Sequence, residues 1–208
     1  MATDSGRCSP KVLAMKALPI NRFLVFLSIA VVGVTADLAT KHWAFETLSG
    51  GRSIQVVGHV LVLETTLNEG GLFGVGQGFS FPLSILGMVA LTGIVCWLFV
   101  FGAAEDWLLT IALGGVVGGI LGNLYDRLGF HGLLWQYGPL GQPSRIGQPV
   151  YAVRDWIHFQ IQSISFDFPL FNIADSLLVC GAALLMWHAL RSEVAGKSKE
   201  TAQQPVRS

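Results

Sequence analysis

Four aspartates stand at the edges of apolar runs in this chain: Asp37, Asp126, Asp155 and Asp175. Each has polar company. Asp37 precedes Lys41 by one helical turn, a favourable acid-before-base pair. Asp126 follows Asn123 and adjoins Arg127. Asp175 follows Asn172 by three residues. Asn172, Asp175, Ser176 and Val179 fall on one helical face. Asp175 lies inside an apolar run, where a carboxylate at mid-membrane depth costs ~2.5 kcal/mol or more. The plain structural account of it is an acid at a helix N-terminus, stabilised by the dipole. The chemical account is stronger when all four acids reach one side of a membrane. Two close carboxylates cannot both ionise cheaply and share a proton. One then acts as base on a water while its protonated partner polarises a carbonyl. Spacing alone leaves open which two form that pair, and a proton relay uses the same residues.

The elements that must position these groups are membrane spans. Apolar residues make up 52% of the 208 and charged residues only 12%, about half the ~25% usual in globular domains. Thirteen basic residues balance thirteen acidic ones. Disorder is excluded by the hydrophobicity, and nucleic-acid binding by the lack of positive excess. Residues 79–104 carry no charge and exceed the ~20 that span a hydrocarbon core. Residues 18–39, 107–123 and 168–190 complete four spans. The first run also has the basic, apolar, small-residue pattern of a cleavable signal peptide. Three cysteines (Cys8, Cys96, Cys180) support no disulfide framework. The five histidines (His42, His59, His131, His158, His188) show no paired metal-ligand spacing.

Eight of the thirteen Lys and Arg lie in residues 1–22 and 191–208, against five in the long loops 37–78 and 124–167. That bias predicts cytoplasmic termini, with both long loops outside. The organisation expected is a cytoplasmic tail (1–17), a four-span domain (18–190) and a loose cytoplasmic tail (191–208). In the first loop, residues 53–57 and 59–67 read as two short strands or one bent strand, ended by the Asn68-Glu69-Gly70-Gly71 turn. The second loop reads as extended around residues 150–153, with a Gly- and Pro-rich surface excursion at 138–149. In the third span Gly114, Gly118 and Gly122 form one i, i+4 row, and Gly115 and Gly119 another. A bare glycine face admits a neighbouring helix.

Five segments, in this order around four spans, resemble the lipoprotein signal peptidases, or signal peptidase II. They are Thr35-Ala36-Asp37-Leu38-Ala39-Thr40-Lys41, Asn68-Glu69-Gly70-Gly71-Leu72-Phe73-Gly74, Gly122-Asn123-Leu124-Tyr125-Asp126-Arg127-Leu128, Val153-Arg154-Asp155-Trp156-Ile157 and Phe171-Asn172-Ile173-Ala174-Asp175-Ser176. The resemblance implies a mainly α, four-span aspartic endopeptidase of the bacterial inner membrane, with a small surface β-sheet, or cradle, from the first outer loop. It implies Asp155 and Asp175 as the catalytic pair. Asp37, Lys41, Asn68, Gly70, Asn123, Asp126, Arg127 and Asn172 fall on its supporting positions. The implied substrate is a prolipoprotein whose Cys carries diacylglycerol, cut just before that Cys. No metal or organic cofactor and no nucleic-acid partner is expected; membrane lipid is, and a monomer. Retention of Asp37 as part of the motif argues that the first run stays as an anchor.

Two departures accompany the match. Residues 130–152 enlarge the second outer loop by about twenty residues against the short connections usual in such folds, and Gly71 replaces the family's usual Ala. The excursion at 138–149 holds no acid, and its removal is expected to cost less turnover than loss of Asn68 or Arg127; the alternative is a lid or substrate guide, since long loops over a site often serve as one. Asn68, from the first loop, is expected to hydrogen-bond the extended substrate backbone, and Arg127, with five fixed donors, to hold Asp126 or a lipid phosphate. The competing functions are a proton-coupled transporter or channel subunit, for which no internal repeat is visible, and a non-catalytic membrane scaffold.

Overall fold

A computed structural model describes residues 20–71, 76–136 and 143–203, with side chains as far as residue 193. Its long helices are α1 (Ile20–Thr47), α2 (Ser80–Val95), α3 (Trp107–Arg127) and α4 (Ile173–Gln203); each is long and apolar enough to cross a membrane, α2 when taken with its continuation to Val100. α2 runs on into a π-helical turn, Cys96–Val100. The Leu72-Phe73-Gly74 part of the turn motif, the N-terminal tail and residues 137–142 lie outside the described residues.

α3 is the central helix, packed on α1, α2 and α4. Its glycines explain why. A Cβ at Gly114 would stand 3.1 Å from the Phe26 carbonyl, and one at Gly118 3.1 Å from that of Ala30, so this row faces α1. Gly119 faces α4, where a Cβ would meet the Ala174 carbonyl at 2.6 Å. Removing the side chains lets both neighbours approach backbone to backbone, the packing open to helices in lipid. Only Gly115 of this set has open space around it. Apolar packing brackets the bundle. Phe26, Ala30, Leu98, Leu113 and Val117 form one cluster, and Phe23 and Phe26 meet Phe99 edge-on. Ala44, Leu48 and Trp156 form the other, at the opposite end of α1. At the first end Arg22 lies over the Trp107 ring and donates to the Glu105 carbonyl at 2.8 Å, joining the start of α1 to the 102–106 turn.

The outer loops build one antiparallel sheet in the order β1 (Ile54–Val57), β2 (Leu61–Asn68), β3 (Val153–Ile161) and β4 (Phe166–Phe171). The sheet expected from the first loop is present, and the second loop doubles it. Residues 168–171, read from sequence as the start of the fourth span, are strand; α4 begins only at Ile173. The aromatic alternation Phe166, Phe168 accounts for this, because period two suits a pleated surface. Asp155 pairs with Thr66 and Val153 with Asn68, after a bulge between Leu63 and Thr66. His158 ties three strands, 2.6 Å from Glu64 on β2 and 2.6 Å from Asp167 on β4. Burial disfavours its charge, but the two carboxylates hold its pKa above the usual value.

Two loose segments prove more ordered than expected. The tail expected to be loose from residue 195 is helical to Gln203. Ala195, Lys197, Lys199, Glu200 and Ala202 favour helix, and extending an existing helix needs no new nucleus. The excursion of the second loop is held at its base, where Trp135 N–H donates to the Gln148 carbonyl and Val150 N–H to that of Leu133, both at 3.0 Å. Between these lies one 3-10 turn, Pro143–Arg145. The Arg145 guanidinium lies over the Trp135 ring and makes two bonds to the Glu69 carboxylate, at 2.9 and 2.6 Å. The excursion, expected as an exposed surface segment, thus reaches the turn beside Asn68.

Candidate active site

The site is assembled where α1, α3, the start of α4 and strands β2 and β3 meet. Asn172 starts α4 with a reciprocal cap. Its Oδ1 accepts from Asp175 N–H at 2.9 Å, and its own N–H donates to Asp175 Oδ2 at 3.2 Å. This is a capping box with Asp at the third helical position. The cap leaves the Asn172 amide free to donate at 2.6 Å to Asp155 Oδ1, across to β3. Asn68, at the end of β2, donates to Asp155 Oδ2 at 3.0 Å. Asn123, on α3, donates to Asp175 Oδ1 at 2.9 Å. Three asparagines therefore hold two buried aspartates.

The other two acids are arranged differently. Lys41 is fully buried and lies 2.7 Å from Asp37, 3.1 Å from Asp126 and 3.0 Å from Asn123 Oδ1. Its three donors have three acceptors. Asp37 also accepts the Ala174 N–H of the α4 first turn at 2.9 Å. Asp126 accepts the backbone N–H, Nε and Nη2 of Arg154, at 3.0, 3.0 and 2.9 Å. Two buried cations thus balance two buried acids, which is the arrangement buried charge requires.

That division separates the four carboxylates. Asp37 and Asp126 are neutralised and lock α1, α3, α4 and β3 together. Asp155 and Asp175 are held by amides, and among the described residues no cation is in ion-pair contact with either. Burial, and then the charge of Asp175, push Asp155 up to about 7 from the ordinary carboxylate range, against the lowering effect of its bonds to Asn68 and Asn172. A group tuned to neutral pH by its surroundings is suited to proton transfer.

Every candidate site residue lies in this assembly, but two make contacts other than those expected. The Asn68 amide, expected on the substrate backbone, donates to Asp155. Arg127 does not hold Asp126. Its Nη2 donates to the Gly70 carbonyl at 2.7 Å, fastening the turn that carries Asn68. The partner of Asp126 is Arg154, to which sequence reasoning assigned no role. Its only signal was its place beside Asp155, on the opposite face of the strand. Ser176 serves its own helix, donating to the Asn172 carbonyl at 3.1 Å.

Two openings meet at the dyad. One, of 210 Å³, lies between α2, α3 and α4. Leu83, Leu86, Ala90, Ile120 and Leu178 line its apolar part, with Asn123, Asp175 and Arg127 at its polar end. The other, of 130 Å³, runs between the ends of β2 and β4, past Thr66, Asn68, Asp155, Pro169 and Leu170.

The family model "Signal peptidase (SPase) II" matches residues 29–191. The lipoprotein signal peptidase of Rhodopirellula baltica is 40% identical over 173 residues, 82% of this chain and 73% of that protein. That of Mycobacterium leprae is 31% identical over 176 residues, 83% of this chain and 75% of that protein. Among solved structures, a bacterial membrane enzyme determined by the in meso method at 2.3 Å superposes with a TM-score of 0.64 at 26% identity, covering 93% of this chain and 97% of that one.

Proposed function

We propose that Asp155 and Asp175 perform the hydrolysis, proceeding from the fact that this chain belongs to the signal peptidase II family and is a bacterial membrane protease that cleaves the signal peptides of lipoproteins. The observation that carries the reading is the contrast between the two pairs of acids. Lys41 and Arg154 neutralise Asp37 and Asp126, whereas amides hold Asp155 and Asp175 without cancelling their charge. The enzyme is then an aspartic endopeptidase.

Asp155, raised by burial and by the charge of Asp175, keeps the shared proton up to about pH 7. Asp175 is the base. It takes a proton from water as the water oxygen attacks the scissile carbonyl, and Asp155 donates its proton to the carbonyl oxygen. Collapse of the tetrahedral intermediate breaks the C–N bond, with a carboxyl proton passing to the leaving amine. Asn68, Asn123 and Asn172 keep both carboxyl groups in place throughout, so little reorganisation is needed.

The two openings suggest the path of the substrate. The apolar cavity between α2, α3 and α4 suits the end of a membrane-embedded signal peptide. The cleft beside β4 leads toward the loop side, where the mature chain must leave. We assign the substrate as a prolipoprotein whose Cys carries diacylglycerol, cut just before that Cys, and the location as the inner membrane, with both termini cytoplasmic and the sheet outside. Incubating the purified protein in detergent with a diacylglyceryl prolipoprotein tests the reading. Release of the signal peptide is expected from the wild type and lost in Asp155→Asn and Asp175→Asn. Cleavage retained by either variant overturns the dyad. Reporter fusions after Ala104 should read cytoplasmic and an insertion at Gly51 external.

A further inference from the structure

We propose that Arg145, on the enlarged second outer loop, is a positioning residue that grips Glu69 and so holds the 68–71 turn where Asn68 meets Asp155. The proposal rests on the aspartic-dyad reading above. Four side-chain attachments fix this turn from outside. Asn68 donates to Asp155 at 3.0 Å, Gln77 Nε2 donates to Asn68 Oδ1 at 3.2 Å, Arg127 donates to the Gly70 carbonyl at 2.7 Å, and Arg145 makes its two bonds to Glu69 at 2.9 and 2.6 Å. Inside the turn Asn68 accepts the Gly70 N–H at 2.8 Å and donates to the Gly71 carbonyl at 3.2 Å, while Gly70 and Gly71 bring no side chains to pack it.

The Arg145 attachment is well founded at both ends. The pair is largely shielded, with the two side chains 28% and 17% exposed, and it is bidentate, the geometry that fixes direction as well as distance. Arg145 also lies over the Trp135 ring at 5.2 Å. Trp135 is itself fixed, its N–H donating to the Gln148 carbonyl and its carbonyl accepting the Gly147 N–H at 2.8 Å. The pair stands between two cavities. One of 630 Å³ is lined by Phe45, Thr65, Gln77, Leu133 and Trp135 as well as Glu69; one of 340 Å³ is lined by Ser80, Phe81, Arg127 and Tyr151 as well as Glu69 and Arg145. With open space on either side, packing does little to hold Glu69, and the ion pair fixes it instead.

The consequence at the dyad has a definite sign. The Asn68 bond favours ionised Asp155. If the turn loosens, that bond weakens and Asp155 holds its proton to higher pH. The other groups acting on Asp155 are Asn172 and Asp175 from the start of α4, Lys41 from α1 and Arg127 from α3. None of them bonds to Arg145; Asn172, Asp175 and Lys41 have no bond to the turn either, and Arg127 meets it only at the Gly70 carbonyl.

The test compares Arg145→Ala, Arg145→Lys, Glu69→Gln and the exchange Glu69→Arg/Arg145→Glu on one prolipoprotein in detergent. For Arg145→Ala we expect kcat to fall about tenfold with KM within about twofold, and the alkaline limb of the kcat/KM profile to move up by a few tenths of a pH unit. Lys restores part of the loss, and the exchange recovers activity to within about threefold of wild type. A folded Arg145→Ala protein with unchanged kcat and pH limb overturns the proposal. So does a change confined to KM, which would make Arg145 a substrate contact. If the alanine variant does not fold, Glu69→Gln decides by the same criteria. Wild type that cuts while these variants behave normally rejects this inference alone; wild type that does not cut rejects the functional reading.

Discussion

The side-chain amide of Asn172 donates to Asp155 Oδ1 at 2.6 Å. One residue thus caps α4 and joins it to β3, so forming the helix end also brings together Asp155 and Asp175, the two acids proposed to react. Asn172→Ala removes both functions. Turnover should fall at least ~100-fold, the order general acid–base positioning supplies, and loss of the cap should cost ~1 kcal/mol of stability. Asn172→Asp keeps a capping oxygen but sets a third carboxylate beside the dyad. It should restore thermal stability without activity, as paired melting and turnover measurements would show.

The dyad also sets a pH dependence. Burial and the charge of Asp175 raise Asp155 to about 7, so the pair keeps its shared proton below that pH and loses it above. We expect kcat/KM to decline on the alkaline side through about pH 7. A profile rising through 7 would reverse the roles of acid and base. Asp155→Asn and Asp175→Asn should each lose at least ~10³-fold in activity.

Gly122 has no room for a side chain. A Cβ there would overlap Asp37 Oδ2 and stand 3.3 Å from Ala174 Cβ. Gly122→Ala should therefore displace Asp37 from Lys41 and the α4 terminus, lowering both melting temperature and turnover. Gly115→Ala, on the same helix with open space around it, should leave both near wild type. Equal behaviour of the two would refute the packing argument.

Arg154 and Arg127 should fail in different ways. Removing Arg154 leaves Asp126 and Asp37 to share Lys41, and breaking a buried pair costs ~3–5 kcal/mol. Arg154→Ala should lose folding first, seen as a large drop in melting temperature. Arg127→Ala frees the Gly70 carbonyl and removes a positive charge near Asp175 and Asp155, but breaks no buried ion pair, and should lose turnover with a smaller thermal effect.

Period and composition made the four spans legible, because lipid demands long uncharged helices whatever their partners. The i, i+4 glycine rows announced that α3 would be approached closely, and Asp37 with Lys41 announced an ion pair, since both follow from local helix geometry. The ten candidate site residues were legible as well, through five short segments in order around those spans. Pairing was not. Which acids take cations and which take amides depends on where β3 lies against α3, and that follows from the register of β3 on β2, with Thr66 opposite Asp155. Register joins residues far apart in the chain, so no local pattern records it. The same cause hid Arg154 as a partner of Asp126 and the bond from Arg127 to the Gly70 carbonyl. It also hid the link from Arg145 to Glu69. The excursion reads from its own residues as a free loop, and only the tertiary structure brings its arginine to the turn beside the dyad.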